Sequence, residues 1–264
     1  MIEISKYSPF IILLDLDETI QGDVSPQLVE YNLIEKMKKT VDGCSKLKQD
    51  KSHLYTDFND GLLRPNFKRF IVKMQKRFPN VEFFVYTASE DKWAQYIVKH
   101  IIQHSLIKIN TKVFTREHCI LDYDSKKYMK SISHVTPLIF NILKKKYNLV
   151  TTPKYQFKHI YLIDNNFVLY DNEKHHLIKC HDYKKSVIID QTRNIPKHII
   201  QKEFQLLSTF LLHRNSNSYF EFYENYYRLL NYSNQKEKFQ RIIYRKDSFW
   251  VNILRWFKNN FKLV

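Results

Sequence analysis

The chain has 264 residues, 44% of them apolar and 15% aromatic, which is enough for one large α/β domain with an appendage and argues against a disordered chain. Lys and Arg number 43 against 27 Asp and Glu, a formal net charge of +16 that favours anionic partners such as nucleic acid, phosphorylated protein or an anionic membrane surface. Its 3 cysteines give no disulfide framework, the N-terminus does not resemble a signal peptide, and no apolar run reaches membrane-spanning length, so we expect an intracellular protein, cytoplasmic or nuclear.

The first half of the chain predicts two buried strands with a helix and an insertion between them. FIILLDLD (10–17) and VEFFVYTAS (81–89) are short, β-branched or aromatic and without alternation, as in strands of a parallel sheet. NFKRFIVKMQKRF (66–78) has apolar residues at helical spacing. Residues 21–60 interrupt this order of strands and helices, with a predicted helix at 25–40. We interpret them as a small insertion after the first strand, close to the site.

The second half continues the alternation of helices and strands. Helices are predicted at 90–105 and 133–149, and strands at HIYLIDNN (159–166) and, more weakly, at HHLIKC (175–180). Strand–helix–strand alternation of this kind favours a doubly wound, Rossmann-like parallel sheet. The predicted fold class is therefore α/β.

The composition of the chain changes after residue 213. RNSNS (214–218) is typical of a linker, so we expect a domain at 1–213 and a basic, aromatic helical tail at 214–264. The last helix of the tail carries a broad apolar stripe with basic residues away from it. Such a helix can lie on an anionic membrane, dock on a partner or pack back onto its own domain, and the sequence leaves these alternatives open.

Each of the three strongest predicted strands ends in reactive polar residues. Open α/β sheets bind their ligands beyond the carboxyl ends of the strands, so these groups should converge on one place. They are Asp15, Asp17 and Thr19 after the first strand, Thr87 and Ser89 after the second, and Asp164 and Asn165 after the third.

Carboxylates crowded at one sheet edge repel each other unless a cation relieves the repulsion. Mg²⁺ takes oxygen ligands in an octahedron and usually keeps several waters. The carboxylates of Asp15 and Asp164, with a main-chain carbonyl near Asp17, would leave positions for water and for a phosphate oxygen. The sequence therefore predicts Mg²⁺ as a cofactor.

Six motifs occur in a fixed order between residues 10 and 213: DLDETI, LRPNF, YTASEDKW, TREHC, YMKSIS and IDNN. They resemble the motifs of the haloacid dehalogenase-like phosphohydrolases, and more finely those of the NLI-interacting-factor-like branch, which dephosphorylates the C-terminal domain of RNA polymerase II. The family's DNSP reads DNNF here, and its RPG reads RPN, with Asn66 in place of the glycine. The segment between Lys130 and Asp164 also carries extra residues. These departures lie in loops and concern specificity more than activity.

The resemblance implies a Mg²⁺-dependent phosphatase mechanism. Asp15 would be the nucleophile and form an aspartyl-phosphate. Asp17 would be the general acid and then the general base. Thr87 would hold the transferring phosphoryl group, and Lys130 would offset charge on the phosphate and on Asp15.

The resemblance also implies the metal ligands and several substrate contacts. Asp15, Asp17 and Asp164 would bind Mg²⁺, with Asn165 supporting them from outside the coordination shell. Expected substrate contacts are Thr19, Ser89, Trp93 and Arg116. Trp93 either lines a proline-binding pocket or is a half-buried helix residue. Arg116 reaches a substrate phosphate or a neighbouring backbone group, or it lies on the surface.

Three functions from two classes compete. The leading one is a phosphatase acting on phosphoserine or phosphothreonine in a protein, such as an RNA polymerase tail. The second is a polynucleotide 3′-phosphatase, which the net charge of +16 would suit. The third is a catalytically silent peptide-binding module with the same fold.

A second cluster of potential metal ligands does not form a site in our interpretation. His175, His176, Cys180 and His181 lie close together in the sequence. In a strand, however, they would alternate between the two faces, so they would not converge on one metal ion.

Overall fold

The computed structural model describes residues 1–40, 51–124, 126–150, 157–183 and 247–264. Its strands are β1 (Ile2–Ile4), β2 (Phe10–Leu14), β3 (Val81–Tyr86), β4 (Val113–Phe114), β5 (Ile120–Asp122), β6 (Lys127–Met129), β7 (Ile160–Asp164), β8 (Leu177–Lys179) and β9 (Phe261–Leu263). Its helices are α1 (Ser25–Thr40), α2 (Lys51–Asp57), α3 (Phe67–Arg77), α4 (Asp91–Ser105), α5 (Ile132–Tyr147) and α6 (Phe249–Asn260). The predicted linker at 214–218 and the boundary after residue 213 lie outside the described residues.

The central sheet has five parallel strands in the order β4-β3-β2-β7-β8. All residues of β2 are buried. Ile12 and Leu14 face the core on one side of the sheet, and Ile11 and Leu13 face the core on the other. Because both faces of the strand are covered, its sequence shows no alternation of apolar and polar residues. The doubly wound α/β prediction is confirmed.

Helices cover both faces of this sheet. The apolar sides of α3, α4 and α6 fill the core on the Ile12 side, while α5 covers the Ile11 side. Parallel strands need crossover connections, and helices on alternate faces supply them. All the carboxyl ends of the strands therefore lie at one edge of the sheet. The polar residues that follow β2, β3 and β7 share this edge.

The insertion after β2 contains α1 at its predicted bounds, followed by α2. Its two ends meet, because the Gly22 amide donates to the Leu62 carbonyl at 2.8 Å. Tyr31 of α1 lies against Trp93 and Tyr96 of α4, with ring centroids 5.4 and 4.8 Å away. The insertion is thus anchored on α4.

The prediction of a strand at 175–180 is wrong in its first part. His175 and His176 belong to a 3-10 helix at Asp171–His176, and β8 comprises only Leu177–Lys179. The His176 ring nitrogen Nδ1 lies 2.9 Å from the Ile160 carbonyl. Among the described residues no group of three potential metal-binding side chains is found.

The C-terminal helix α6 packs on the domain core. Trp250 and Phe257 are fully buried, and β9 pairs in parallel with β1. Of the alternatives that the sequence left open, the structure shows packing on the domain. Most of the apolar stripe is buried there, while Trp256 stays 40% exposed. Within the described residues, no helix combines the length and apolarity needed to cross a bilayer.

Asn66 occupies the position where the family motif has glycine, and it adopts the left-handed conformation with φ 67° and ψ 4°. Glycine reaches this region freely, and asparagine tolerates it better than other residues do. The substitution in the motif therefore keeps the turn that starts α3.

We predict that Asn66→Gly leaves stability unchanged or raises it slightly, whereas Asn66→Val lowers the free energy of unfolding by about 1–2 kcal/mol. Asn66 is exposed, so the difference between the variants reports backbone strain. Urea unfolding measures it, with Lys68→Val on the exposed side of α3 as a control for loss of a polar surface residue. Equal stability of the Asn66→Val variant and the parent would contradict this account.

Candidate active site

Lys130 lies between two carboxylates at the carboxyl edge of the sheet. Its Nζ is 2.5 Å from Asp15 Oδ1 and 2.6 Å from Asp164 Oδ2. Asp15 follows β2 and Asp164 ends β7, and these strands are neighbours with Leu14 opposite Ile163. The Lys130 side chain is 1% exposed. The structure thus brings together groups that are 115 and 34 residues apart in the chain.

The formal charges of Lys130, Asp15 and Asp164 do not sum to zero when all three groups are ionised. Burial, with the nearby charge of Asp164, raises the pKa of Asp15 to about 7 even though Lys130 opposes the rise. Burial alone would lower the pKa of Lys130, but the two carboxylates raise it well above its usual value. A protonated Lys130 offsets only one of its two carboxylate neighbours. Excess negative charge in a buried site favours binding of a further cation.

Asp17 is held by two side chains. The Ser89 hydroxyl donates to Oδ2 at 2.5 Å, and Gln21 Nε2 donates to Oδ1 at 3.0 Å. Burial raises the pKa of Asp17, and these two hydrogen bonds oppose the rise. Ser89, expected as a substrate contact, is therefore engaged with Asp17 and fixes the orientation of that carboxyl group.

Thr87 follows the end of β3, on the strand next to Asp15. Its amide donates to the Phe114 carbonyl at 2.8 Å, and its hydroxyl accepts from the Ser89 amide at 3.1 Å. The first bond ties the end of β3 to β4, and the second shapes the turn that follows. Thr87 is therefore a fixed member of the same edge, as the order of the strands predicts.

Thr19 and Asn165 connect the loops after β2 and β7. The Thr19 hydroxyl donates to Asn165 Oδ1 at 3.1 Å and accepts from the Asn165 amide at 3.2 Å. Thr19 is fully buried, as are Thr87 and Lys130, so its contact with substrate stays a prediction. Asn165 Nδ2 lies 3.3 Å from both Glu18 Oε2 and Asp182 Oδ1. The pair acts as a link between the two loops that carry Asp17 and Asp164.

Two further residues predicted to contact substrate have structural neighbours instead. Trp93 is 3% exposed and stacks on Tyr96 with ring centroids 5.8 Å apart. It belongs to the hydrophobic core on that side of the sheet. Arg116 Nε donates to the Ala88 carbonyl at 2.8 Å, and its guanidinium lies over the Tyr128 ring. Arg116 therefore holds the loop that follows β3.

Sequence reasoning missed a buried ion pair that supports this edge. Arg64 Nη2 lies 3.0 Å from Asp247 Oδ2, and both side chains are almost fully buried. Arg64 Nη1 also donates to the Thr19 carbonyl at 3.4 Å. His181 Nε2 lies 2.7 Å from Arg64 Nη2 and 3.1 Å from Asp247 Oδ2. The pair joins the start of the C-terminal segment to the loop after β2, and no local motif signals it because its members are 183 residues apart.

Comparison with known proteins finds one matching family and several solved structures of low sequence identity. Residues 10–210 match the model of the NLI interacting factor-like phosphatases. The solved structure of Fcp1, an essential RNA polymerase II CTD phosphatase, is 16% identical over 96% of this chain and 62% of that chain, with a TM-score of 0.42. A variant of fission yeast Fcp1 bound to beryllium fluoride is 15% identical over 96% of this chain and 64% of its own, with a TM-score of 0.37.

A third similar structure is the HAD domain of the effector protein Lem4 from Legionella pneumophila. It is 12% identical over 74% of this chain and 96% of that chain, with a TM-score of 0.35. The chain spans less than two thirds of the two Fcp1 chains. The search of curated proteins gave no match.

We predict that Lys130→Met lowers the free energy of unfolding by about 3–5 kcal/mol at pH 8 in the presence of EDTA, because it leaves two buried carboxylates without their cation. Adding Asp164→Asn should recover part of the loss. Lys146→Met is the matched control, since Lys146 also pairs with a carboxylate, that of Glu82, but is 61% exposed; it should cost less than about 1 kcal/mol. If Lys130→Met and Lys146→Met lowered the free energy of unfolding equally in urea, Lys130 would not be the buried cation that the two carboxylates need.

We predict a similar loss for Asp247→Ala, about 3–5 kcal/mol, because Arg64 would stay buried and unpaired. The double variant Arg64→Met with Asp247→Leu should lose less than the sum of its single variants. A double-mutant cycle measured by urea unfolding checks this. Additive losses would mean that the two side chains do not act as a pair.

Proposed function

Because the chain belongs to the NLI interacting factor-like phosphatase family, we propose that it is a Mg²⁺-dependent phosphatase that hydrolyses a phosphomonoester through an aspartyl-phosphate intermediate. The observation that carries the proposal is the meeting of Asp15, Lys130 and Asp164 at the carboxyl edge of the sheet. Asp17 and Thr87 lie beside them, after the same strand and the next one. Phosphoryl transfer depends mainly on positioning and charge neutralisation, and this set can supply both.

The residues present fit Mg²⁺. Two buried carboxylates, those of Asp15 and Asp164, share a single ammonium group. Burial, and after it the charge of Asp164, raises the pKa of Asp15 to about 7, so ionising this carboxyl group without a further cation is unfavourable. Carboxylate and carbonyl oxygens are the ligands that Mg²⁺ prefers, so these side chains and the main-chain carbonyl of Asp17 would hold it. When bound, the ion neutralises negative charge on the substrate phosphate and orients it.

In the first step a carboxylate oxygen of Asp15 attacks phosphorus. The bond between this oxygen and phosphorus forms while the bond from phosphorus to the leaving oxygen breaks. Asp17, whose pKa is raised by burial, gives its proton to the leaving oxygen. Lys130 and Thr87 stabilise the negative charge of the transferring group.

In the second step water hydrolyses the aspartyl-phosphate. Asp17, now ionised, takes a proton from the water while the water oxygen bonds to phosphorus. The bond between phosphorus and Asp15 breaks, which releases inorganic phosphate and restores both carboxyl groups. The Ser89 and Gln21 hydrogen bonds to Asp17 keep its carboxyl oriented through both proton transfers.

The substrate that we propose is phosphoserine or phosphothreonine in a protein such as an RNA polymerase tail. The finer resemblance of the motifs to the polymerase-tail phosphatases supports it. A polynucleotide 3′-phosphatase is the alternative, and the net charge of +16 is the observation in its favour. A silent binding module fits less well, because Asp15, Lys130 and Asp164 are present and assembled.

We predict that the purified protein releases phosphate from para-nitrophenyl phosphate with Mg²⁺ and not with EDTA. Asp15→Asn should reduce the rate by at least about a thousandfold, since it removes the nucleophile. Asp171→Asn serves as the matched control, because Asp171 lies on the surface and should retain full activity. Absence of Mg²⁺-dependent release from the folded parent would overturn the proposal. Comparing a phosphoserine peptide with a 3′-phosphorylated oligonucleotide then decides between the two substrate classes.

A further inference from the structure

Two neighbouring elements present a surface rich in cations. The exposed side chains of α3 and of the C-terminal segment α6–β9 include eight Lys and Arg residues. We call this surface the basic face. Its members are Lys68, Arg69, Lys73, Lys76, Arg77, Arg255, Lys258 and Lys262.

The two helices run side by side in the same direction. Near their starts the Arg64–Asp247 ion pair joins the segments that lead into α3 and α6. Near their ends Arg77 Nη2 donates to the Lys258 carbonyl at 3.3 Å. Contacts at both ends keep the helices together along their length, so Arg77 of α3 lies beside Lys258 of α6.

The positive charge of this face is not offset locally. Neither α3 nor α6–β9 contains an acidic residue. Among the residues that the structure describes, no ion pair involves any of the eight cations. An 11-residue helix such as α3 is about 16 Å long, which is enough to follow several phosphates of a polyanion.

One aromatic ring is exposed on α6, about 100° around the helix from Arg255 and about 160° from Lys258. Trp256 is 40% exposed and is supported from below by Phe257 and Phe261, with ring centroids 5.0 and 5.5 Å away. The other two tryptophans, Trp93 and Trp250, are buried in the core. An exposed ring on a helix that also carries Arg255 and Lys258 offers a stacking surface for an unpaired base.

We propose that the basic face binds single-stranded nucleic acid, with phosphates along α3 and α6 and a base stacked on Trp256. A membrane fits this surface less well, because the apolar side of α6, including Leu254 and Phe257, is already buried in the core and leaves no broad apolar face to insert. The proposal goes beyond the phosphatase activity, since it concerns the outer surface of the helix layer and not the sheet edge.

The test uses a fluorescent 20-nucleotide oligothymidylate and the full chain, with fluorescence anisotropy at several salt concentrations. The triple variant Lys73→Gln, Lys76→Gln, Lys258→Gln removes three cations of the basic face. The matched control, Lys112→Gln, Lys144→Gln, Lys145→Gln, removes three exposed lysines elsewhere and causes the same change in net charge.

Loss of three phosphate contacts should weaken binding at least about tenfold at 100 mM salt and reduce the slope of log affinity against log salt by about 2. The control triple should change neither by more than about twofold. Oligothymidylate should also quench tryptophan fluorescence, and Trp256→Phe should remove most of the quenching, since Trp93 and Trp250 are buried. Phosphate release from para-nitrophenyl phosphate should be unchanged in the triple variant, which separates this test from that of the catalytic site.

Three outcomes would overturn the proposal. Equal losses in both triple variants would mean that net charge alone attracts the oligonucleotide. No binding at 50 mM salt would exclude a nucleic-acid site on this face. Absence of oligonucleotide binding together with binding to phosphatidylserine vesicles would assign the face to an anionic membrane.

Discussion

The ion cluster of Lys130 with Asp15 and Asp164 is the constraint on which the rest of the structure depends. Removing three charged groups from water is costly, and the attraction between them offsets that cost only when the distances are short. The distances of 2.5 and 2.6 Å require β2 and β7 to be neighbours in a fixed register. The fold and the candidate site therefore stabilise each other, and a shift of one strand would leave buried charge unpaired.

A chain of contacts extends this constraint to the far end of the sequence. Asp247 pairs with Arg64, Arg64 donates to the Thr19 carbonyl, and the Thr19 hydroxyl bonds to Asn165 next to Asp164. The loop between Asp15 and Thr19 is thus held from several sides. Since α6 also fills the core beneath, the C-terminal segment contributes to the same folded unit as the site.

The strongest strands and the carboxylates of the candidate site could be predicted because both signals are local. Each strand is an unbroken apolar run, and the polar residues follow it directly. The direction of a side chain is not local, and for this reason Thr19 and Trp93 were expected at the substrate and lie buried. The two- and three-residue strands, such as β4, are too short for a periodic signal. The apolar stripe on α6 indicates that this side of the helix is covered, but it does not identify the surface that covers it. Only the structure shows that α6 packs on the domain core.

The electrostatics of the molecule combine two opposite tendencies. The chain carries +16 overall, yet the candidate site places the carboxylates of Asp15 and Asp164 on one Lys130. A phosphate approaching the protein is attracted by the overall field but meets excess negative charge at the site itself. A further cation at the carboxylate edge would reconcile the attraction at long range with the repulsion at short range. The same argument that makes Mg²⁺ fit the site thus also explains how a phosphorylated substrate could enter it.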